Sequence, residues 1–201
     1  MCSVCEVLCV TDRLLCREDF LSRIERLAQA RPKGIILREK DLSESEYKSL
    51  AEAVLEICER YVTPCILHSF ADIAIELGVT NLHLPLPALR ELTPSKMSGF
   101  TVLGASCHSV EEAEEAEALG CTYITAGHVF DTDCKKGLAG RGLDFLKQVC
   151  ESVSIPVYAI GGINEENAGQ TINAGARGVC VMSSAMSCGD PRSYLAKFRE
   201  I

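Results

Sequence analysis

Two segments of the 201-residue chain combine residue types that bind anions: Ala159-Ile160-Gly161-Gly162-Ile163-Asn164 and Val181-Met182-Ser183-Ser184. Adjacent glycines let backbone N–H groups approach an anion. A short helix that opens after an apolar run turns unpaired N–H groups and the positive end of its dipole toward phosphate. Gly161, Gly162, Met182, Ser183 and Ser184 are therefore candidate contacts for a phosphorylated ligand. A second group is cationic, because Arg38-Glu39-Lys40 directly follows the apolar Gly34-Ile35-Ile36-Leu37. Arg38 can grip a carboxylate or phosphate through two nitrogens, and Lys40 can add a point charge.

Proton transfer points to a third segment, Gly127-His128-Val129-Phe130-Asp131-Thr132-Asp133-Cys134-Lys135-Lys136-Gly137. An imidazole exchanges protons near neutral pH, so His128 is the candidate acid or base, and the loop behind it offers Thr132 and Lys136 for closure over an anion. His108 stands at the corresponding place in Ser106-Cys107-His108-Ser109, which adds Ser106 and His108 to the candidate ligand contacts. His68 and His83 occupy similar places, but their neighbours Leu67, Phe70, Leu84 and Pro85 suit packed or supporting imidazoles better. The residues offer no metal site: Asp72 and Glu76 fall inside a helical pattern, and Cys2-x-x-Cys5 lacks a second pair at zinc-ligand spacing.

These residues need a scaffold that brings them together. Short apolar runs rich in β-branched residues alternate with longer segments of helical period, the pattern of repeated βα units around a parallel sheet. Eight strands are predicted, at Glu6–Val10, Gly34–Leu37, Pro64–Leu67, Asn81–Leu84, Thr101–Ala105, Tyr123–Ala126, Val157–Ile160 and Gly178–Val181. Between them, Ser43–Arg60 is amphipathic, with Leu50, Val54, Ile57 and Cys58 on one face. Ser109 followed by Glu112 predicts a capping box ahead of a helix over Val110–Leu119. Gly78, Gly120 and Gly175 each close a helical pattern before a strand. Eight such units predict an α/β fold, a closed (β/α)₈ TIM barrel of one domain over residues 1–201. Its chemistry belongs at the C-terminal strand ends, where every candidate above falls.

Composition narrows the partners. With 20 Lys and Arg against 28 Asp and Glu, the formal charge of −8 repels phosphodiester backbones, and the basic residues form no stripe, so nucleic acid is not expected. No apolar run reaches the roughly 18 residues of a membrane span. Met1–Arg13 has no basic cluster ahead of a long apolar stretch, which predicts a cytoplasmic protein. The 12 cysteines, including Cys58, Cys65, Cys121, Cys150 and Cys180 within apolar segments, are expected to be reduced packing residues.

Taken in order, Leu37-Arg38-Glu39-Lys40, His83-Leu84, Gly104–Ser109, Glu111-Glu112-Ala113, Ile160-Gly161-Gly162-Ile163 and Val181-Met182-Ser183 resemble the thiamine phosphate synthase superfamily over nearly the whole chain. Synthases of that superfamily join a pyrimidine pyrophosphate to a thiazole phosphate with carboxylate-held Mg²⁺. Their pattern places Asn-Asp-Arg where this chain has His68-Ser69-Phe70, and an Asp after the fourth strand where it has Pro85-Leu86-Pro87-Ala88-Leu89. Gly127-His128-Val129-Phe130, in place of the synthases' Gly-Pro-Val-Phe, looks like the TenI-type thiazole tautomerase branch.

That resemblance implies an isomerase that aromatises a thiazole carboxylate phosphate without metal or organic cofactor. His128 would move the proton, the Gly162 and Ser183 amides would hold the phosphate, and Arg38 and the surroundings of Lys136 would reach the carboxylate. The substrate would be the small phosphorylated thiazole carboxylate, and a homo-oligomer is compatible with this reading. The alternatives are a Mg²⁺-dependent synthase and a non-catalytic regulator that uses the same phosphate cup.

Overall fold

A run such as Gly34-Ile35-Ile36-Leu37 has no polar face, so both of its sides must be buried, which a parallel sheet covered by helices provides. The computed structural model describes residues 5–132 and 137–201 and closes eight parallel strands into a barrel in the order β1 to β8. The strands are β1 (Glu6–Val10), β2 (Gly34–Leu37), β3 (Cys65–His68), β4 (Asn81–Pro85), β5 (Val102–Cys107), β6 (Tyr123–Gly127), β7 (Val157–Ile160) and β8 (Gly178–Val181). Outside them run α1 (Phe20–Gln29), α2 (Glu44–Arg60), α3 (Ala71–Glu76), α4 (Leu86–Glu91), α5 (Pro94–Met97) and α6 (Val110–Ala118). The series ends with α7 (Gly142–Ser152), α8 (Ala168–Asn173), α9 (Ser183–Ser187) and α10 (Pro191–Ala196).

The expected α/β barrel is thus the observed one, and the alternation within β2 shows why. Ile36 faces inward and packs with Leu8, Val10, Ile66, Tyr123, Tyr158 and Cys180. Ile35 and Leu37 face outward into the larger layer between strands and helices. The capping box that opens α2 is complete at Ser43 and Glu46, and the helix buries Tyr47, Ala51, Val54 and Cys58. Tyr47 ties the mouth together: its hydroxyl donates to the Leu37 carbonyl at 2.7 Å and accepts from the His68 N–H at 2.9 Å.

Four strands run past or away from their predicted ends, because parallel pairing is decided by the neighbouring strand and not by the local pattern. The ladder pairs His68 with His83, Pro85 with Ser106, and Gly127 with Ile160, which carries β3 to His68, β4 to Pro85, β5 through Ser106 and β6 to Gly127. The cap of α6 also differs from a full capping box. Ser109 accepts from the Glu112 N–H, but the Glu112 carboxylate takes the His108 N–H, one residue before the cap. Cys58, Cys65, Cys121, Cys150 and Cys180 are free thiols, as is Cys5, while Cys2 lies outside the described residues. No helix among the described residues is long and apolar enough to cross a membrane.

Candidate functional site

Residues leaving the C-terminal strand ends line a cavity of about 340 Å³. Arg38 and Lys40 reach it from the end of β2, Ser106 from within β5, and His108 just beyond β5. His128 and Thr132 arrive from the connection after β6, Gly161 and Gly162 follow β7, and Met182, Ser183 and Ser184 lead from β8 into α9. All but one of the residues singled out from sequence therefore share one cavity. The exception, Lys136, lies outside the described residues.

Two glycines shape the side of the cavity that follows β7. Gly161 and Gly162 take φ of +102° and +65°, and a Cβ on them would stand 2.3 Å from His128 Cβ and from the Asp131 carbonyl oxygen, respectively. Only a residue without a side chain lets this turn press against the connection after β6. The Asn167 Nδ2 donates to the Gly162 carbonyl at 2.9 Å, which holds the turn in place. Ser183 and Ser184 open α9, where N–H groups have no carbonyl of their own helix to meet.

Just beyond the end of β2, the residues of Arg38-Glu39-Lys40 divide between two sides. Arg38 and Lys40 turn toward the cavity, whereas Glu39 is 3% exposed and faces the other way. Its carboxylate accepts from Thr11 Oγ1 at 2.6 Å and from the Arg13 N–H at 3.0 Å, and Thr11 Oγ1 in turn accepts the Arg38 N–H at 2.9 Å. Glu39 is thus a structural anchor beneath the cationic wall.

His128 is buried, and its Nε2 lies 3.2 Å from the Leu138 carbonyl. A carbonyl only accepts, so Nε2 carries the proton, and Nδ1 is left buried with no partner among the described residues. His108 Nδ1 lies 2.9 Å from the Gly127 carbonyl, so the same reasoning makes Nδ1 its donor.

His68 and His83, which the sequence reading kept as packed or supporting imidazoles, both line the cavity. Their rings stack with centroids 5.6 Å apart. Burial pushes the His83 imidazole down to about 3. Burial, then the neighbouring His83, Arg38 and Lys40, push His68 down to about 2, so both are neutral at physiological pH. The signal that could have placed them was period-2 alternation: Leu82 and Leu84 point out into the helical layer, so His83 and Pro85 point in. Apolar neighbours along a strand say what lies on the opposite face.

A family model described as thiamine monophosphate synthase matches residues 7–185. Thiamine-phosphate synthase of Clostridium acetobutylicum is 36% identical over 184 residues, covering 89% of this chain and 85% of its own. Its namesake from Fusobacterium nucleatum is 35% identical over 189 residues, covering 91% and 90%. A solved structure titled thiamine phosphate pyrophosphorylase from Pyrococcus furiosus superposes with a TM-score of 0.82 at 27% identity, covering 98% of this chain and 95% of that one.

These relatives overturn the tautomerase expectation. The isomerase reading rested on a few residues in the loops after β3, β4 and β6, whereas the similarity that spans the barrel is to proteins named synthase. Loops at strand ends vary independently of the scaffold beneath them, so a handful of loop residues is weaker ground than agreement along the whole chain.

Proposed function

Since the chain belongs to the thiamine monophosphate synthase family, we propose that it joins a phosphorylated thiazole to a pyrimidine diphosphate at the mouth of its barrel. The thiazole phosphate lies in the cup of Gly161, Gly162, Ser183 and Ser184. Its ring nitrogen attacks the methylene carbon of the pyrimidine, the carbon–oxygen bond to the diphosphate breaks, and diphosphate leaves with the electron pair. The nitrogen's lone pair becomes the new bond, so no redox partner and no proton acceptor is required. Arg38 and Lys40 supply positive charge to the departing diphosphate. The observation that carries this reading is the 35–36% identity, over about nine-tenths of the chain, to proteins named for that product.

Carboxylate-held Mg²⁺ does not fit the described residues of the cavity. No Asp or Glu is among the described residues lining the cavity. Glu39 is committed to Thr11 and Arg13, and Asp131 Oδ1 accepts from the Gly140 N–H at 2.7 Å. Among the described residues no group of three His, Cys, Asp or Glu side chains could hold a metal ion.

The test is direct. The protein is incubated with both substrates, with Mg²⁺ and with chelator, and thiamine phosphate and released diphosphate are quantified together. Equal amounts of both are expected, and Arg38→Ala should lower kcat/KM by roughly 10- to 150-fold, the scale of a charge-assisted hydrogen bond. Absence of product under every condition refutes the proposal, and tight thiazole phosphate binding without turnover would point to a regulator that uses the same cup.

A further inference from the structure

Behind Ser106 stands a hydrogen-bonded chain that the reaction above does not use. His83 Nε2 lies 2.9 Å from Ser106 Oγ, and His83 Nδ1 lies 2.8 Å from the Tyr123 hydroxyl. Thr125 Oγ1 also donates to Ser106 Oγ, at 3.4 Å. Tyr123, His83 and Thr125 are all at most 5% exposed, and Ser106, His83 and Thr125 line the cavity. The barrel gives up a side chain to hold them: a Cβ on Gly104 would fall 2.2 Å from the Tyr123 ring and 2.6 Å from His83 Nδ1. His83, Gly104 and Tyr123 are ladder partners on three adjacent strands, so this packing is part of the barrel's own register.

Counting donors and acceptors gives the chain a direction. The buried Tyr123 hydroxyl has one proton to place and no acceptor but His83 Nδ1 among the described residues. Leaving that proton unpaired costs more than any gain from the opposite arrangement, so Tyr123 donates and Nδ1 is the bare nitrogen. A neutral ring then carries its proton on Nε2 and donates to Ser106 Oγ. With two donors already pointing at it, from His83 and Thr125, the serine oxygen has no lone pair to spare, and its own proton is directed into the cavity. The same three side chains in the reverse sense would make Ser106 a nucleophile with His83 as its base. Pairing the Tyr123 proton with His83 Nδ1, its one hydrogen-bond partner among the described residues, favours the first sense over that one.

We propose that Tyr123 fixes His83 as its Nε2–H tautomer, so that Ser106 is an obligate donor to an acceptor atom of the bound heteroaromatic phosphate. The inference rests on the reading that this cavity binds the thiazole phosphate. Its consequence is a specificity rule: a ligand must present a lone pair at Ser106, and an analogue with an N–H or O–H there is rejected because two donors would face each other. Tyr123 and His83 are positioning residues, and Ser106 is the member of this chain that donates to the ligand.

The tautomer is read by ¹⁵N NMR of histidine-labelled protein. His83 is expected to be neutral, with its proton on Nε2, from pH 5 to 8. Tyr123→Phe removes the hydroxyl that fixes the tautomer. It should weaken thiazole phosphate binding, measured by calorimetry, by roughly 10-fold, and leave the dissociation constant of inorganic phosphate unchanged, which also reports an intact fold. In a Ser106→Ala background the same substitution should have no further effect on thiazole phosphate. A wild-type His83 protonated on Nδ1 overturns the proposal, as does a Tyr123→Phe loss that persists in the Ser106→Ala background. None of these readouts requires turnover, so failure to form thiamine phosphate would refute the synthase reading and leave this test standing.

Discussion

Replacing Gly162 by alanine tests whether the turn after β7 is the phosphate cup. Its φ of +65° is left-handed, which costs a residue with a side chain about 1–2 kcal/mol. The new Cβ would stand 2.3 Å from the Asp131 carbonyl oxygen and 2.8 Å from Phe130 Cβ. Backbone cannot swing aside as a flexible side chain does, and Asn167 holds the turn from the other side, so overpacking adds about 1–3 kcal/mol. The sum of about 2–5 kcal/mol is to be set against the ~5–15 kcal/mol by which domains are stable. It corresponds to a fall in Tm of about 4–20 °C for a chain of this size. The displaced N–H groups should also weaken inorganic phosphate binding at least tenfold, about 1.4 kcal/mol. Scanning calorimetry gives the first number and titration calorimetry the second. Gly189→Ala, where a Cβ meets nothing within 4 Å, is the control and should change neither. An unchanged phosphate affinity in Gly162→Ala would refute the placement of the cup, whatever happens to Tm.

Two further outcomes follow from buried polar groups. His68 and His83 are pushed down to about 2 and about 3 in the fold, below the 6.5 of an exposed imidazole, so the unfolded chain takes up protons first. Their contribution is complete above pH 6.5 and lost as pH falls toward 3. At pH 5 the loss is about 2 kcal/mol for each group, and urea midpoints of His83→Gln should fall less steeply with acid than wild type. Parallel slopes would show that the imidazoles are not held neutral. Glu39→Ala should lower the unfolding free energy by about 1–3 kcal/mol through the stranded Thr11 hydroxyl alone, seen as a lower urea midpoint at unchanged m-value, and an unaltered midpoint would contradict its anchoring role.

Much of this protein is written locally. Glycine pairs, apolar runs of strand length and helical segments with their caps each depend on residues a few positions apart. The eight βα units, the barrel they form and the gathering of the Gly161-Gly162 and Ser183-Ser184 turns at one mouth were therefore readable from sequence, and β1, β2, β7 and β8 begin and end where the pattern puts them. What the sequence could not decide depends on who stands across the ladder or across the barrel. The facing of His68 and His83 toward the cavity, the sinking of Glu39 beneath Arg38, and the chain from Tyr123 through His83 to Ser106 join residues up to 40 positions apart. The direction of that chain is a property of burial, because only where water is excluded must every proton find a partner in the protein. Choice between relatives sharing the barrel was also beyond the loops, since a few strand-end residues favoured one chemistry and agreement along the chain favoured another. Side-chain identity proposes what a group can do, and the closed barrel decides which groups meet.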